Sequence, residues 1–284
     1  MKKLLGALAL IIGMVTALPA GAAGGTYPLE RAPDRLNDLA ALQNGAKLFV
    51  NYCLNCHSAS SVRYSDLRQI GLTDAQILNN LVFAGNSVHD MMVVAMNPVD
   101  AKTWFGTAPP DLSVMARAKS TNAGPSGTDY IYTYLRSFYR DYTKLTGWDN
   151  LVFPNVGMPH VMWREQGPRR LTKVEVRPVE GATDGSWERV TTEYDEFGYS
   201  TTKVEPTAAP IGHHASVEYK FTPLNPEAAK AFDNQIADLA AFMEWMAEPM
   251  KLERQRIGVW VILYLAIFMV IAWRLNAVYW KDVK

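Results

Sequence analysis

The sequence predicts a mainly α-helical protein that carries a β-hairpin-like insertion and a single membrane helix at its C-terminus. Three observations predict this class. Apolar residues recur at three- and four-residue spacing over 38–52 and 226–247, which is the period of an amphipathic helix. From about residue 171 to 221, alternating Val, Thr, Tyr and charged residues indicate hairpin strands. Near the end of the chain, residues 257–273 form an uncharged apolar run.

The first 23 residues have the pattern of a secretory signal peptide. Two lysines precede an apolar core from Leu4 to Leu18, and a run of small residues follows. The apolar core is shorter than a membrane span, and no stop-transfer charge cluster comes after it. We therefore expect cleavage near Ala22 or Ala23 and export of the remaining chain.

Composition and charge limit the class of partner. The 284 residues are 49% hydrophobic and 20% charged, which is typical of a folded protein with some membrane-embedded part. Lys and Arg together number 28, as do Asp and Glu, so the chain has no basic excess. We expect no nucleic acid among its partners.

Helical patterns dominate much of the exported part. The segment 38–52 runs directly into a pair of cysteines and would orient them. Shorter helical patterns follow at 73–84, in a Met-rich stretch around 89–96, and at 129–140, with proline and glycine between them. The second long amphipathic segment ends before Pro249.

The apolar run 257–273 is ~25 Å long at 1.5 Å per residue, slightly less than a hydrocarbon core, so we expect the span to continue toward Trp280. Basic residues flank both ends, so flanking charge does not decide the orientation. The signal peptide decides it instead. We expect a protein anchored in a bacterial inner membrane. Residues 1–23 would be the signal peptide, 24–250 a periplasmic domain, and 251–284 a membrane anchor with a short cytoplasmic tail.

The segment Cys53-Leu54-Asn55-Cys56-His57 has the spacing C-x-x-C-H, the attachment signature of c-type haem. Two thiols at this spacing reach the two vinyl groups of one porphyrin as thioethers, and the next side chain offers an imidazole nitrogen to the iron. A zinc site would need further cysteines, and the sequence has only these two. A thioredoxin-like redox pair would need a βαβ setting, which this helical context lacks. The motif predicts one haem c, attached through Cys53 and Cys56, with His57 as axial ligand.

The iron of such a haem needs a sixth ligand, and sulfur or imidazole side chains beyond the motif are the candidates. These are Met91, Met92, Met96, Met115, Met158, Met162, His89, His160, His213 and His214. Methionines at helical spacing are commonly core residues. Met158 differs because prolines and a glycine suppress helix in its loop, 153–159, and Pro159 biases Met158 toward an extended backbone. A thioether ligand also suits electron transfer, because a His/Met pair raises the potential of haem iron.

Several blocks of sequence in a fixed order carry a family resemblance. They are Cys53–His57, Trp104–Gly106, Pro109–Ser113, Asp129–Tyr132, Gly157–Pro159 and Trp245–Pro249. Many cytochromes share the haem motif, whereas the Pro-Pro-Asp-Leu-Ser and Trp-Met-x-Glu-Pro blocks are specific in combination. Over nearly the whole mature chain, the sequence resembles the cytochrome c1 family, the haem-bearing subunits of quinol-cytochrome c reductase (cytochrome bc1) complexes.

The resemblance implies a fold and a set of site residues. It implies a mainly α, class I cytochrome c-like haem domain enlarged by insertions, with Met158 as the second axial ligand. It also places Pro109 and Pro110 in the haem pocket. Members of the family usually have an arginine that contacts a haem propionate where this chain has Lys119, so either Lys119 or Arg117 is expected to do so here.

The resemblance also implies a function and partners. The chain would take electrons from a Rieske [2Fe-2S] protein and pass them to a soluble or membrane-tethered cytochrome c, with its anchor in membrane lipid against a cytochrome b subunit. It would break no substrate bond itself, although it would be a subunit of an oxidoreductase. Two alternatives stay open. One is a haem c subunit of another membrane oxidoreductase, and the other is an open-coordination haem protein that binds a gas or reduces peroxide.

Overall fold

The computed structural model describes residues 27–94, 96–122, 124–182, 185–211 and 214–282, so the predicted signal peptide lies outside the described residues. The helices are α1 Leu39–Leu48, α2 Asp74–Asn80, α3 Pro98–Phe105, α4 Met115–Ala118, α5 Gly127–Arg136, α6 Trp163–Gln166, α7 Pro226–Ala247 and α8 Lys251–Tyr279. The strands are β1 Ala59–Arg63, β2 Met91–Met92, β3 Phe138–Arg140, β4 Trp148–Asn150, β5 Arg169–Pro178, β6 Trp187–Tyr194, β7 Ser200–Thr207 and β8 Ser216–Pro223. A π-helical turn over Phe49–Cys53 extends α1, and a 3₁₀ helix over Tyr64–Ile70 precedes α2.

The core is built around α7, which packs against both α1 and α5. Phe49, just after α1, contacts Phe242 of α7 with ring centroids 5.6 Å apart. Gly45 allows a close approach of the two helices, because a Cβ atom at this position would lie 2.3 Å from the backbone oxygen of Asp238. This contact fixes the direction of α1 and therefore the position of the cysteine pair that follows it.

A buried carboxylate holds the same helix pair together. Asp238 is 9% exposed and accepts hydrogen bonds from Arg35 Nη1 at 2.5 Å and from Asn44 Nδ2 at 2.7 Å. Because each carboxylate oxygen has a donor, the charge is compensated where it is buried. The bond to Arg35 also attaches the segment before α1 to α7.

The insertion forms a four-stranded antiparallel sheet in the order β7-β6-β5-β8. Strands were predicted over about 171–221, and the sheet extends them to residues 169–223. It is larger than a hairpin because β5 is paired along both edges, with Leu171 opposite Tyr194 of β6 and Phe221 of β8. Leu171 is buried, and β5 also contacts β3 of the predicted haem domain.

Two shorter helical predictions were wrong in part. The Met-rich stretch around 89–96 contains the short strand β2, paired with β1, in place of a helix. The β-branched residues Val93 and Val94 that follow β2 favour extended backbone. The predicted helix at 129–140 ends at Arg136, and the chain continues as β3 paired with β4.

Among the described residues, α8 is a helix long and apolar enough to cross a membrane, with a mean hydropathy of 2.1 over an 18-residue stretch. Its 29 residues span ~44 Å, which exceeds the ~30 Å of a hydrocarbon core. None of its residues is buried in the protein, as expected for a helix that lies in lipid or against another subunit. Its first turn is held to the preceding segment by ion pairs of Lys251 with Glu244 and of Arg254 with Glu248.

Candidate functional site

A cavity of about 340 Å³ brings together residues that are far apart in the sequence. Cys53, Cys56 and His57 line it from the segment after α1, and Met158 lines it from the loop before α6. Apolar and aromatic side chains form most of the remaining wall. The volume is in the range in which proteins commonly bind organic cofactors.

The cysteine motif lies in a hydrogen-bonded turn that continues from α1. The amide of Leu54 donates to the oxygen of Phe49 at 3.0 Å, and the amide of His57 donates to the oxygen of Cys53 at 2.9 Å. Leu54 is 4% exposed and belongs to the core, so it fixes the turn from inside the domain. The three chemically distinctive residues of the motif are thereby presented to the cavity.

Both cysteines carry unpaired thiols. Burial, and secondarily the neighbouring Cys56 thiol, raises the pKa of Cys53 to about 12, and burial also raises the pKa of Cys56. The cause is that a low-dielectric environment disfavours the charged thiolate. In the chain without cofactor the two groups are therefore neutral thiols at neutral pH.

The ring of His57 is oriented by one hydrogen bond. His57 Nδ1 lies 2.7 Å from the carbonyl oxygen of Pro110, and only a protonated Nδ1 can donate to that acceptor. Burial lowers the pKa of His57, although the Pro110 bond and the charge of Asp111 oppose that effect. A neutral imidazole with its proton on Nδ1 has Nε2 free to bind a metal.

The Pro-Pro-Asp-Leu-Ser loop is fastened to the strand that follows the haem motif. Asp111 accepts hydrogen bonds from the amides of Ser60 and Ser113, each at 2.8 Å, and the amide of Leu112 donates to the oxygen of Ser58 at 2.8 Å. Burial alone would raise the pKa of Asp111, but the bonds from Ser113 and Ser60 outweigh it and lower that pKa. The loop therefore holds the Pro110 carbonyl where His57 needs it.

The loop that carries Met158 is organised by two buried polar residues. Asn150, 1% exposed, accepts hydrogen bonds through Oδ1 from the amides of Val152 and Phe153. Asp149, 4% exposed, accepts through Oδ1 from the amide of Asn155 at 2.7 Å. Asn155 is a non-glycine residue with positive φ, at 60°, and this bond keeps it in that turn conformation.

Two tyrosines of α5 line the cavity and were not predicted as site residues. The rings of Tyr130 and Tyr134 stack with centroids 5.9 Å apart, and Tyr134 Oη lies 3.5 Å from Met158 Sδ. Burial raises the pKa of both tyrosines, so both hydroxyls keep their protons at neutral pH. Their i, i+4 spacing places them on one helix face and is the sequence signal that could have found them.

A further hydrogen bond joins the segments on which the motif and the methionine lie. The hydroxyl of Tyr52, the residue before Cys53, donates to Glu165 Oε1 in α6. That bond, with a smaller contribution from burial, raises the pKa of Tyr52 to about 12. Tyr52 also lines the cavity, and sequence analysis did not single it out.

The structure separates the two candidates for the propionate contact. Lys119 lines the cavity, with Nζ 4.9 Å from the ring centroid of Tyr130. Arg117 does not line it and lies near Glu248, whose pKa is lowered chiefly by Arg254 and to a lesser degree by Arg117. Pro109 and Pro110 also line the cavity.

Most of the other candidate ligands lie elsewhere. Met92 and Met162 are buried in the core, and His89 and His214 are exposed. His160 is buried beside Phe138, outside the cavity wall, and burial chiefly lowers its pKa to about 3. His213 lies outside the described residues. Of the methionines named in the sequence analysis, Met115 and Met158 line the cavity.

Comparison with known families matches residues 32–166 and 209–283 to the cytochrome c1 family. The chain belongs to the cytochrome c1 family. It is 34% identical over 284 residues, covering 100% of both chains, to cytochrome c1 of Allochromatium vinosum. It is 32% identical over 269 residues, 93% of this chain and 92% of the relative, to the ammonia monooxygenase gamma subunit of Nitrosomonas europaea. It is 24% identical over 264 residues, 87% of this chain and 83% of the relative, to cytochrome c1 of Rhodospirillum rubrum.

Membership of the cytochrome c1 family confirms the predictions of family and cofactor. Proteins of this family carry one covalently bound haem c and are membrane-anchored electron-transfer subunits of bc1-type respiratory complexes. The family match leaves out residues 167–208, which contain β5, β6 and β7. Three of the four strands of the insertion sheet therefore lie outside the matched residues, and β8 lies inside them.

The residues around the cavity fit a covalently attached haem. The cavity wall holds two unpaired thiols at the attachment spacing, an imidazole whose Nδ1 is bonded to Pro110, and thioether sulfur from a separate loop. The rest of the wall is mainly apolar, which suits a porphyrin plane.

Asp111→Asn should destabilise the domain by about 1 kcal/mol or less, because an exposed carboxylate that accepts two amide bonds contributes modestly. The lowered pKa of Asp111 means that its contribution is present above the unfolded-state pKa of ~3.9 and is lost as the pH falls through the folded value. Thermal unfolding midpoints of wild type and variant should differ by up to ~2–4 °C at pH 7, and the difference should shrink as the pH falls from ~3.9 through the lower folded-state pKa of Asp111.

The matched control for this change is Asp100→Asn, an exposed acid on α3. It should leave the midpoint within about one degree at either pH. Equal midpoints for wild type and Asp111→Asn at pH 7 would contradict the role given to the Asp111 bonds.

Proposed function

We propose that this chain takes single electrons from a Rieske-type [2Fe-2S] protein and passes them to a soluble or membrane-tethered cytochrome c within a quinol-cytochrome c reductase. The observation that carries the proposal is the cavity in which the C-x-x-C-H turn and the Met158 loop meet. Family membership supports the same conclusion. The chain would break no substrate bond, and quinol oxidation would belong to neighbouring subunits.

In this proposal the haem domain is a class I cytochrome c-like core enlarged by insertions. Cys53 and Cys56 would hold the porphyrin as thioethers, and His57 would offer Nε2 to the iron, with its ring kept in place by the bond to Pro110. Once bound, the haem supplies a one-electron Fe(III)/Fe(II) couple, whose potential is raised by a His/Met axial pair. The mainly apolar wall excludes water from most of the porphyrin.

Met158 is the better candidate for the sixth ligand, although Met115 and, on the buried face of α7, Met243 also line the cavity. Met115 begins α4, directly after the Pro109–Ser113 loop that is bonded to His57 and to β1. It therefore comes from the histidine's own side of the site. Met158 comes from a separately anchored loop, which suits a ligand on the other face of the porphyrin.

Lys119 is our candidate for the propionate contact. It lines the cavity, whereas Arg117 lies near Glu248. As a point charge, Lys119 would compensate a propionate without the bidentate geometry of arginine.

The proposed arrangement in the membrane follows the sequence. Residues 1–23 would be removed as a signal peptide, 24–250 would lie in the periplasm, and the segment 251–284 would anchor the chain with its end in the cytoplasm. The exposed apolar surface of α8 supports the anchor and offers a face for lipid and for a cytochrome b subunit.

N-terminal sequencing of the mature chain tests the cleavage, which should follow Ala22 or Ala23.

A second candidate function is a haem c subunit of another membrane oxidoreductase. The observation that favours it is the 32% identity to a protein named as the gamma subunit of ammonia monooxygenase. A third, an open-coordination haem that binds a gas or reduces peroxide, would require that no side chain occupy the sixth position.

Purification of the complex from native membranes separates the first two candidates. We expect b-type haem and a Rieske centre to co-purify with this chain, because a quinol-cytochrome c reductase needs both. The measurement is a pyridine haemochrome spectrum for the ratio of haem c to haem b, together with electron paramagnetic resonance for the iron-sulfur centre. A complex with haem c and neither of the others would support the second candidate and reject the first.

Met158→Leu should leave the haem covalently attached, because the cysteines are unchanged, and should open the sixth position. We expect the potential to fall by on the order of a hundred millivolts, turnover to be lost, and carbon monoxide to bind the reduced haem. Redox titration and difference spectra measure these effects in the purified complex. Met115→Leu is the matched control from the same cavity and should retain wild-type behaviour. The reverse pattern in the two variants would assign the ligand to Met115.

Lys119→Gln should lower the potential, because a nearby positive charge favours the reduced haem. An exposed charge contributes ~0.2–1 kcal/mol, which corresponds to ~10–40 mV for one electron. Arg117→Gln is the control and should shift the potential by less than about 10 mV. Redox titration of both variants decides between the two positions, and a larger shift in Arg117→Gln would overturn the assignment.

A further inference from the structure

The hydroxyl of Tyr134 lies against the sulfur of Met158. Tyr134 Oη and Met158 Sδ are 3.5 Å apart, within hydrogen-bonding distance for sulfur. A phenol has one proton to donate, and within the described part of the chain the thioether sulfur of Met158 accepts it. The bond thus connects a neutral side chain of α5 with the residue proposed as axial ligand.

The ring of Tyr134 is held from two sides. It stacks on Tyr130 with an interplanar angle of 10°, and its other neighbour, Phe138, contacts it edge-on with centroids 5.3 Å apart. Phe138 is fully buried, so this contact is anchored in the core. Because both neighbours restrict the ring, the direction of the hydroxyl is set by the fold.

The side chain of Asn150 links the backbone of Tyr134 to the loop that carries Met158. Asn150 Nδ2 donates to the carbonyl oxygen of Tyr134 at 2.8 Å. The same side chain, through Oδ1, accepts from the amides of Val152 at 2.9 Å and Phe153 at 3.0 Å, at the start of the loop that leads to Met158. Asn150 thereby fixes the end of α5 relative to this loop.

We propose that Tyr134 tunes the haem potential by donating a hydrogen bond to the thioether of Met158, and that Asn150 positions the pair. This rests on the proposed function, because it requires Met158 to be the axial ligand. A donor on the sulfur withdraws electron density from the lone pairs that the iron uses. Ferric iron loses more from that withdrawal than ferrous iron, so the bond raises the potential.

The test is redox titration of haem c in the purified complex with Tyr134→Phe, which keeps the ring and removes the hydroxyl. We expect the ratio of reduced to oxidised haem at a fixed ambient potential to fall about threefold, consistent with a weak hydrogen bond. This corresponds to a lower midpoint by ~30 mV at 59 mV per tenfold change for one electron. The reduced variant should bind no carbon monoxide, because Met158 remains in place.

The matched control is Tyr132→Phe on the same helix, where Tyr132 is buried against Arg136 and does not line the cavity. Its midpoint should equal that of wild type. An unchanged midpoint in Tyr134→Phe, in a complex whose wild-type reduced haem excludes carbon monoxide, would overturn the tuning role and leave the ligand proposal standing. Carbon monoxide binding to wild-type reduced haem would overturn both. A wild-type midpoint in Tyr134→Phe with an altered one in Tyr132→Phe would also contradict the proposal.

Discussion

The hydrogen bond from His57 Nδ1 to the carbonyl of Pro110 is the constraint on which the site depends. It engages Nδ1 and leaves Nε2 available to bind a metal. The bond requires that the loop Pro109–Ser113 stay beside β1, and the amide bonds accepted by Asp111 keep it there. This loop therefore acts on the haem motif through its backbone.

The two sides of the cavity are stabilised by different means. The cysteine motif follows α1, whose position is set by apolar packing on α7 at Gly45. The Met158 loop is held by Asp149 and Asn150, whose side chains are buried but bonded to backbone amides. Burial of such groups is tolerated because their hydrogen bonds are made. A loop held by specific bonds keeps one geometry, which suits the axial-ligand role proposed for Met158.

Sequence alone predicted the elements whose pattern is local. The C-x-x-C-H spacing, the amphipathic helix at 226–247 and the C-terminal apolar run depend on neighbouring residues, and the structure has a helix or turn at each. The features that could not be predicted from the sequence depend on tertiary contacts. The insertion became a four-stranded sheet because β5 pairs along both edges, and only the fold brings Tyr134 to Met158 or separates Lys119 from Arg117. The Met-rich stretch was misassigned because strand pairing with β1 overrides its helical spacing.

Attachment of one haem at Cys53 and Cys56 is tested most directly by mass spectrometry of the mature chain after proteolysis. The fragment that contains residues 53–57 should carry the mass of one haem, with neither thiol available to an alkylating reagent. A fragment of unmodified mass, whose two cysteines alkylate fully or are joined as a disulfide, would contradict covalent attachment and with it the roles given to His57 and Met158.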